Sequence, residues 1–342
     1  METIKLTQYS HGAGCGCKIS PKMLEGIIGK GSHRIDPNLL VGNSTKDDAA
    51  IFDLGNGKAI ISTTDFFMPI IDDPFDFGAI ASVNAISDIY AMGGKPLMAI
   101  AILGWPIDKI PTEFANKVLE GSRKVCHDAG ISLAGGHSID CPEPIFGLAV
   151  TGQVDKKNIK QNSSAKEGSY LFLTKKLGVG IMTTAQKKGL AKAEHLEEAK
   201  QSMLTLNDLG MKLGELDYVN SLTDVTGFGL LGHLMEICEG SDLSAEVDFE
   251  AVPKFDFIDE YIAQNSIPGG TNRNWESYGH NISEISDYQR TILADPQTSG
   301  GLLISVNHNS LEVFNKECNH WGIMLNPIGR LTTKSCIGVQ IV

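Results

Sequence analysis

The sequence predicts an α+β protein of two domains led by a mobile glycine-rich segment, and three observations carry that prediction. The chain has 342 residues, more than one ordinary domain requires. Between Asp48 and Asp65 the runs A-A-I-F-D-L and K-A-I-I-S-T-T-D flank the turn signal Gly55-Asn56-Gly57. That pattern is a hairpin, and it sets antiparallel pairing inside an otherwise alternating order of strands and helices. The polar stretch D-K-K-N-I-K-Q-N-S-S-A-K-E-G then reads as a linker. The expected organisation is a lid segment with its lead-in over 1–47, an N-terminal domain over 48–155, a linker over 156–168 and a C-terminal domain over 169–342.

Taken in order, His11 to Lys18 reads H-G-A-G-C-G-C-K, two thiols and an ammonium among glycines. Glycine gives up the most backbone freedom on ordering, so this run suits a segment that moves or lies close to a ligand. After the hairpin a helix is expected from Pro74, suited to a first turn, to Tyr90, with Gly93-Gly94 as its stop. Asn84 and Asp88 share a face of it. Lys95–Leu103 reads as a buried strand and Thr112–Ala129 as an amphipathic helix. Ile131–Ala134 reads as a short strand ending in the turn Gly135-Gly136-His137-Ser138, and Ile145–Val154 as another strand. In the second domain come a strand at Tyr170–Thr174, a helix over Val179–Lys188 and one long amphipathic helix around His195–Leu213. Asp224 follows in S-L-T-D-V-T-G-F-G, backed by a helix at Leu230–Glu239, and D-P-Q-T-S-G-G at 295–301 is a glycine loop leading into the strand L-L-I-S-V.

Composition bounds the function. A formal charge of -12 argues against a nucleic-acid partner, which needs a basic face, but not against nucleotides, whose phosphates divalent ions can bridge to carboxylates. The longest apolar run, between Pro96 and Pro106, is too short to cross a bilayer, and the polar start lacks a signal-peptide core, so a cytoplasmic protein with no membrane partner is expected. Seven scattered cysteines are not a secreted disulfide framework. Of these, Cys15 and Cys17 are the ones expected to be accessible.

Four aspartates, Asp48, Asp65, Asp88 and Asp224, stand among apolar neighbours. Any one of them is explained by a cap or a turn. An unpaired buried carboxylate is costly, however, and a converging set would hold magnesium or manganese against a polyphosphate. No P-loop and no dinucleotide-binding fingerprint is present. Gly136 and Ser138 offer backbone amides and a hydroxyl to phosphate, against the plain alternative of a tight turn. A zinc site of His11, Cys15 and Cys17, with His33 nearby, is disfavoured by the one-residue gap.

The collinear motifs Q-Y-S-H-G-A-G-C-G-C-K, K-D-D-A-A, S-T-T-D-F-F-M-P, N-A-I-S-D-I-Y-A-M-G-G-K-P, L-A-G-G-H-S-I-D, L-T-D-V-T-G-F-G-L-L-G-H and D-P-Q-T-S-G-G-L-L closely resemble the selenophosphate synthetase (selenide, water dikinase) family. The resemblance implies a fold like aminoimidazole ribonucleotide synthetase and a homodimer paired through N-terminal domains. It implies ATP as substrate with Mg2+, and conversion of ATP, selenide and water to selenophosphate, AMP and phosphate. By the same resemblance Cys15 is the essential thiol position and Lys18 the essential lysine that reaches ATP. Asp48, Asp88 and Asp224 become magnesium ligands, Asp88 also lying at the nucleotide, and Thr45, Lys46, Asp47, Asp65, Gly136, His137 and Ser138 become ATP contacts. A monovalent cation and a selenium-delivery protein are left open as further partners. Two rivals remain: a kinase or synthetase of the same superfamily, which would release ADP, and a non-catalytic thiol or metal carrier, which leaves the aspartates unexplained.

Overall fold

The N-terminal half is a mixed sheet with two helices on one face. In the computed structural model, which describes residues 4–19, 21–28 and 36–342, the strands are β1 (Leu39–Val41), β2 (Ala50–Asp53), β3 (Lys58–Phe67), β4 (Lys95–Trp105), β5 (Ser132–Asp140) and β6 (Ile145–Asp155). The helices are α1 (Pro21–Ile28), α2 (Pro74–Ala91) and α3 (Thr112–Asp128). The sheet order is β1-β2-β3-β6-β4-β5, antiparallel except for the β4–β5 pair. The hairpin registers Ala50 opposite Ser62, so Asp48 and Asp65 do come to the same end.

Helix α2 is buried along almost its whole length. It packs on β3, β6 and α3 on one side and on elements of the C-terminal half on the other. That explains its sequence: a helix covered all round is apolar all round, and the polar residues it keeps are there for each other. Asp73 caps its N-terminus by accepting from the Asp76 amide at 2.9 Å, and Pro74 opens it.

The C-terminal half places β7 (Tyr170–Leu173), β8 (Val219–Asp224), β9 (Leu243–Val247), β10 (Leu302–Val306), β11 (Pro327–Thr333) and β12 (Val339–Ile341) in the order β12-β9-β11-β7-β10-β8. Its helices are α4 (Val179–Lys187), α5 (Ala193–Leu204), α6 (Leu209–Gly214), α7 (Gly229–Ser241), α8 (Ile258–Ala263), α9 (Gly269–Tyr278), α10 (Asp287–Leu293) and α11 (Leu311–His320). Strands β8 and β10 are buried at every residue.

Three local expectations are corrected. Gly135–Ser138 is no turn: β5 continues through it with a register shift against β4 between Leu133 and Gly136, and a Cβ at Gly136 (φ +153°) would stand 2.2 Å from the Ala101 carbonyl oxygen, so glycine admits close pairing with β4. Strand β4 is only half buried, because one face of the sheet carries no helix. The long helix around 195–213 is two, α5 and α6, parted where Asn207 turns its amide onto the Ser87 hydroxyl and the Gly300 carbonyl, each at 2.8 Å. The polar stretch after β6 is packed: Lys160 is 4% exposed and donates to the carbonyls of Leu216 and Val219 at 2.9 and 2.7 Å.

Candidate active site

Three carboxylates from three elements meet between the halves. Asp48 precedes β2, Asp88 lies on α2 and Asp224 ends β8, and one oxygen of each lies within 4.8 Å of the other two. Thr223 donates to Asp48 Oδ1 at 2.9 Å, so the C-terminal half holds a carboxylate of the N-terminal half. Thr63 donates to Asp88. Asp48 Oδ2 and Asp224 Oδ2 are buried with no hydrogen-bond partner. Burial, with the Asp224 charge next in weight, pushes Asp48 and Asp88 well above the usual carboxylate range, and burial raises Asp224 too. Like charges left partnerless in such a place are strongly unfavourable, and a divalent cation with hard oxygen ligands is what relieves them.

Beside the triad lies the glycine-rich segment, folded against the protein rather than extended from it. Gly14–Cys17 forms one short 3₁₀ turn. Cys15 is 1% exposed, which corrects the expectation of an accessible thiol. Its Sγ donates to Asn84 Oδ1 at 3.2 Å, and its amide donates to Thr298 Oγ1 at 3.0 Å. Burial first, then the Asp65 charge, hold the thiol far above its ordinary pKa. Lys18 Nζ stands 3.4 Å from Asp65 Oδ2 with 36% of its side chain exposed; desolvation opposes its charge, but Asp65 foremost, with Cys15, Asp88 and Asp224, keeps it an ammonium. Asp65 also accepts from Asn84 Nδ2 at 2.6 Å. His11 is turned away to Glu143 at 2.9 Å, and among the described residues no His/Cys group forms a metal cluster. His33 and the Cys17 side chain lie outside the described residues.

The remaining predicted residues divide into two groups. Thr45, Lys46 and Asp47 form the tight turn just before Asp48, with Lys46 at φ +54°. Thr45 donates to Asp47, whose Oδ1 accepts the Asn162 amide at 2.6 Å. Asn162 Nδ2 reaches back to the Lys46 carbonyl at 3.0 Å, so the packed connector fixes this turn. Gly136, His137 and Ser138 are elsewhere: β5 is the sheet edge three strands from β3, about 14 Å at the usual strand spacing. They line a separate cavity of about 280 Å³ with Arg123 and Leu103. Within one chain they do not join the carboxylates.

Residues 46–154 match the N-terminal domain, and residues 166–342 the C-terminal domain, of AIR synthase related proteins. A selenide, water dikinase of Photorhabdus laumondii is 61% identical over 330 residues, covering 96% of this chain and 95% of its own. This chain belongs to the selenide, water dikinase family. Another member, from Colwellia psychrerythraea, is 57% identical over 343 residues, covering 100% of this chain and 99% of its own. Among solved structures, a thiamine-monophosphate kinase from Stenotrophomonas maltophilia superposes with a TM-score of 0.66 at 18% identity, over 89% of this chain and 91% of that one, a likeness of fold alone.

Sequence reasoning missed Asn84, Thr298, Thr223 and Ser299 as members of the site. For Asn84 a signal existed, because N-A-I-S-D on one helix face places it one turn from Asp88. The others are ordinary hydroxyl residues in a strand and a loop, and only the fold brings them in.

Proposed function

We propose that this protein forms selenophosphate from ATP, selenide and water with release of AMP and phosphate, and that the site between its halves performs the reaction. It is a phosphotransferase of the selenide, water dikinase family. The observation that carries the site assignment is the meeting of three carboxylates, two buried and one half-buried, with a thiol and an ammonium on one short segment.

The orphaned oxygens of Asp48 and Asp224 fit magnesium, with Asp88 as third ligand. When bound, the ion neutralises phosphate charge that the carboxylates alone would repel. Lys18, held charged by Asp65, faces the same space and gives a second positive group toward phosphate. Selenide is already anionic near neutrality and needs no strong base, so these residues act chiefly by screening charge and placing the reactants. The turn Thr45–Asp47 stands where it can touch nucleotide beside Asp48. The closed segment keeps solvent from Cys15 and restricts water at the site.

Two copies pair, in this reading, through the helix-free face of the N-terminal sheet. That face exposes Phe66, Met98, Ile100 and Ile139, a patch of a kind that marks protein contact. The second copy is then the source of Gly136, His137 and Ser138 at the nucleotide.

An anaerobic assay with ATP, magnesium and selenide, resolving AMP from ADP, tests the function. Selenide-dependent AMP is expected, and Cys15→Ser should abolish it in a protein that still folds. ADP as the sole nucleotide product would instead assign the chain to the kinases of its fold.

A further inference from the structure

We propose that the Thr298–Ser299 turn of the C-terminal half is the seat of the reactive segment, with Thr298 positioning Cys15 and Ser299 positioning Asn84. The bearing on catalysis rests on the function proposed above; the seat itself rests on geometry.

Thr298 Oγ1 accepts the Cys15 amide at 3.0 Å, with both residues buried. The segment has no slack there: at Gly14 (φ +50°) a Cβ would stand 2.4 Å from Thr298 Oγ1 and 2.5 Å from Ile70 Cδ1. Ser299 holds a left-handed backbone, φ +52°, which a non-glycine residue keeps only when its surroundings enforce it. They do so three times over. Its hydroxyl donates to the Met203 carbonyl at 2.7 Å, its own carbonyl accepts from Lys175 Nζ at 2.9 Å, and the Gly300 carbonyl accepts from Asn207 at 2.8 Å.

The consequence is a directed amide: Ser299 N–H donates to Asn84 Oδ1 at 2.8 Å. That bond decides which end of the Asn84 amide faces which neighbour, oxygen to the Cys15 sulfur and nitrogen to Asp65. The sulfur therefore meets an acceptor, so the seat holds an S–H and turns a lone pair on any thiolate. The docked thiol is neutral and withheld, and it meets selenium when the segment lifts. Three clasps, Arg273 to the Gly16 carbonyl at 2.7 Å, Lys187 to the Gly12 carbonyl at 2.6 Å and His11 to Glu143, are solvent-exposed and hold weakly. The Gly14 amide ties the segment to the Met68 carbonyl of the N-terminal half at 3.0 Å, and on the C-terminal side the buried Thr298 bond decides docking.

The test is iodoacetamide labelling of the full-length protein, with the rate at each cysteine read by peptide mass spectrometry. In the wild type Cys15 should react far more slowly than exposed Cys336. Thr298→Val should raise the Cys15 rate about tenfold, as loss of one buried bond predicts, while buried Cys126 and Cys238 stay protected, and Thr298→Ser should restore protection. In the selenide assay a segment that no longer stays seated admits water to the closed site, so Thr298→Val should lower kcat while leaving the KM for ATP unchanged. A wild-type Cys15 as reactive as Cys336, an unchanged Cys15 rate in folded Thr298→Val, or an unchanged kcat would overturn the proposal. Should Thr298→Val also expose Cys126 and Cys238, Gly14→Ala decides instead: selective labelling of Cys15 in that variant supports the seat, and its absence overturns it. Wild-type protein that makes no AMP would remove the proposed function without altering the labelling rates.

Discussion

Asp224 shows at the scale of one residue what the proposed metal site costs in stability. Its Oδ2 is buried without a partner, within reach of two other carboxylates. In Asp224→Asn a repelling charge becomes a neutral amide of the same shape, so the metal-free protein should gain about 1–3 kcal/mol. Magnesium should then no longer raise its thermal midpoint. Melts with and without magnesium check both halves; a variant less stable than wild type that still responded to the ion would refute the triad's role. The sequence marks four aspartates, because a carboxylate among apolar neighbours needs a reason to be there, and the family resemblance picks three of them as ligands. Thr298 is not marked, since a neutral hydroxyl is at home in any loop, and Asn84 is marked only by sharing a helix face with Asp88.

The start of α4 and the loop 295–301 form one unit. Gln297 Oε1 accepts the amides of Gly178 and Val179 at 3.3 and 3.2 Å, and Asp295 Oδ2 accepts that of Gly180 at 3.0 Å, so a distant loop caps the helix. Burial nevertheless pushes Asp295 up to about 8. The native state therefore keeps this proton to higher pH than the unfolded chain, whose carboxyl titrates near 3.9. Below that value the two states are protonated alike. As pH rises between about 4 and 8, the unfolded state sheds the proton first, and stability falls by about 1.4 kcal/mol per unit until the native group ionises. Asp295→Asn should flatten that descent, as urea midpoints at pH 5, 7 and 9 would record; an unaltered slope would mean that Asp295 is ionised throughout.

Elements are legible where one signal dominates, as in the Gly55-Asn56-Gly57 hairpin and the Pro74 helix start. They mislead where tertiary contacts compete. Paired glycines look like a turn but serve close strand pairing in β5, and the helical pattern through 205–208 is broken because Asn207 is spent on the site loop.

For the whole molecule, the apolar face of the N-terminal sheet predicts the assembly. Phe66 and Ile100 are 49% and 45% exposed on a face that no helix covers. Sedimentation velocity should find a dimer, and Phe66→Glu with Ile100→Glu should halve the mass and abolish AMP formation together. A monomeric, fully active wild type would exclude the pairing. Alternating strands and helices make two α+β halves legible. That the site takes residues from both is not, because no periodicity in a chain tells which of its ends will touch.

The short segment near the start is fastened on both sides. Gly14 donates to the Met68 carbonyl and His11 meets Glu143 in the N-terminal half, while Lys187, Arg273 and Thr298 hold it from the other. It thus works as a suture between two bodies. Unpicking it frees the sulfur while α2 and the Thr223–Asp48 bond still join the bodies, so the thiol can be uncovered without the two halves coming apart.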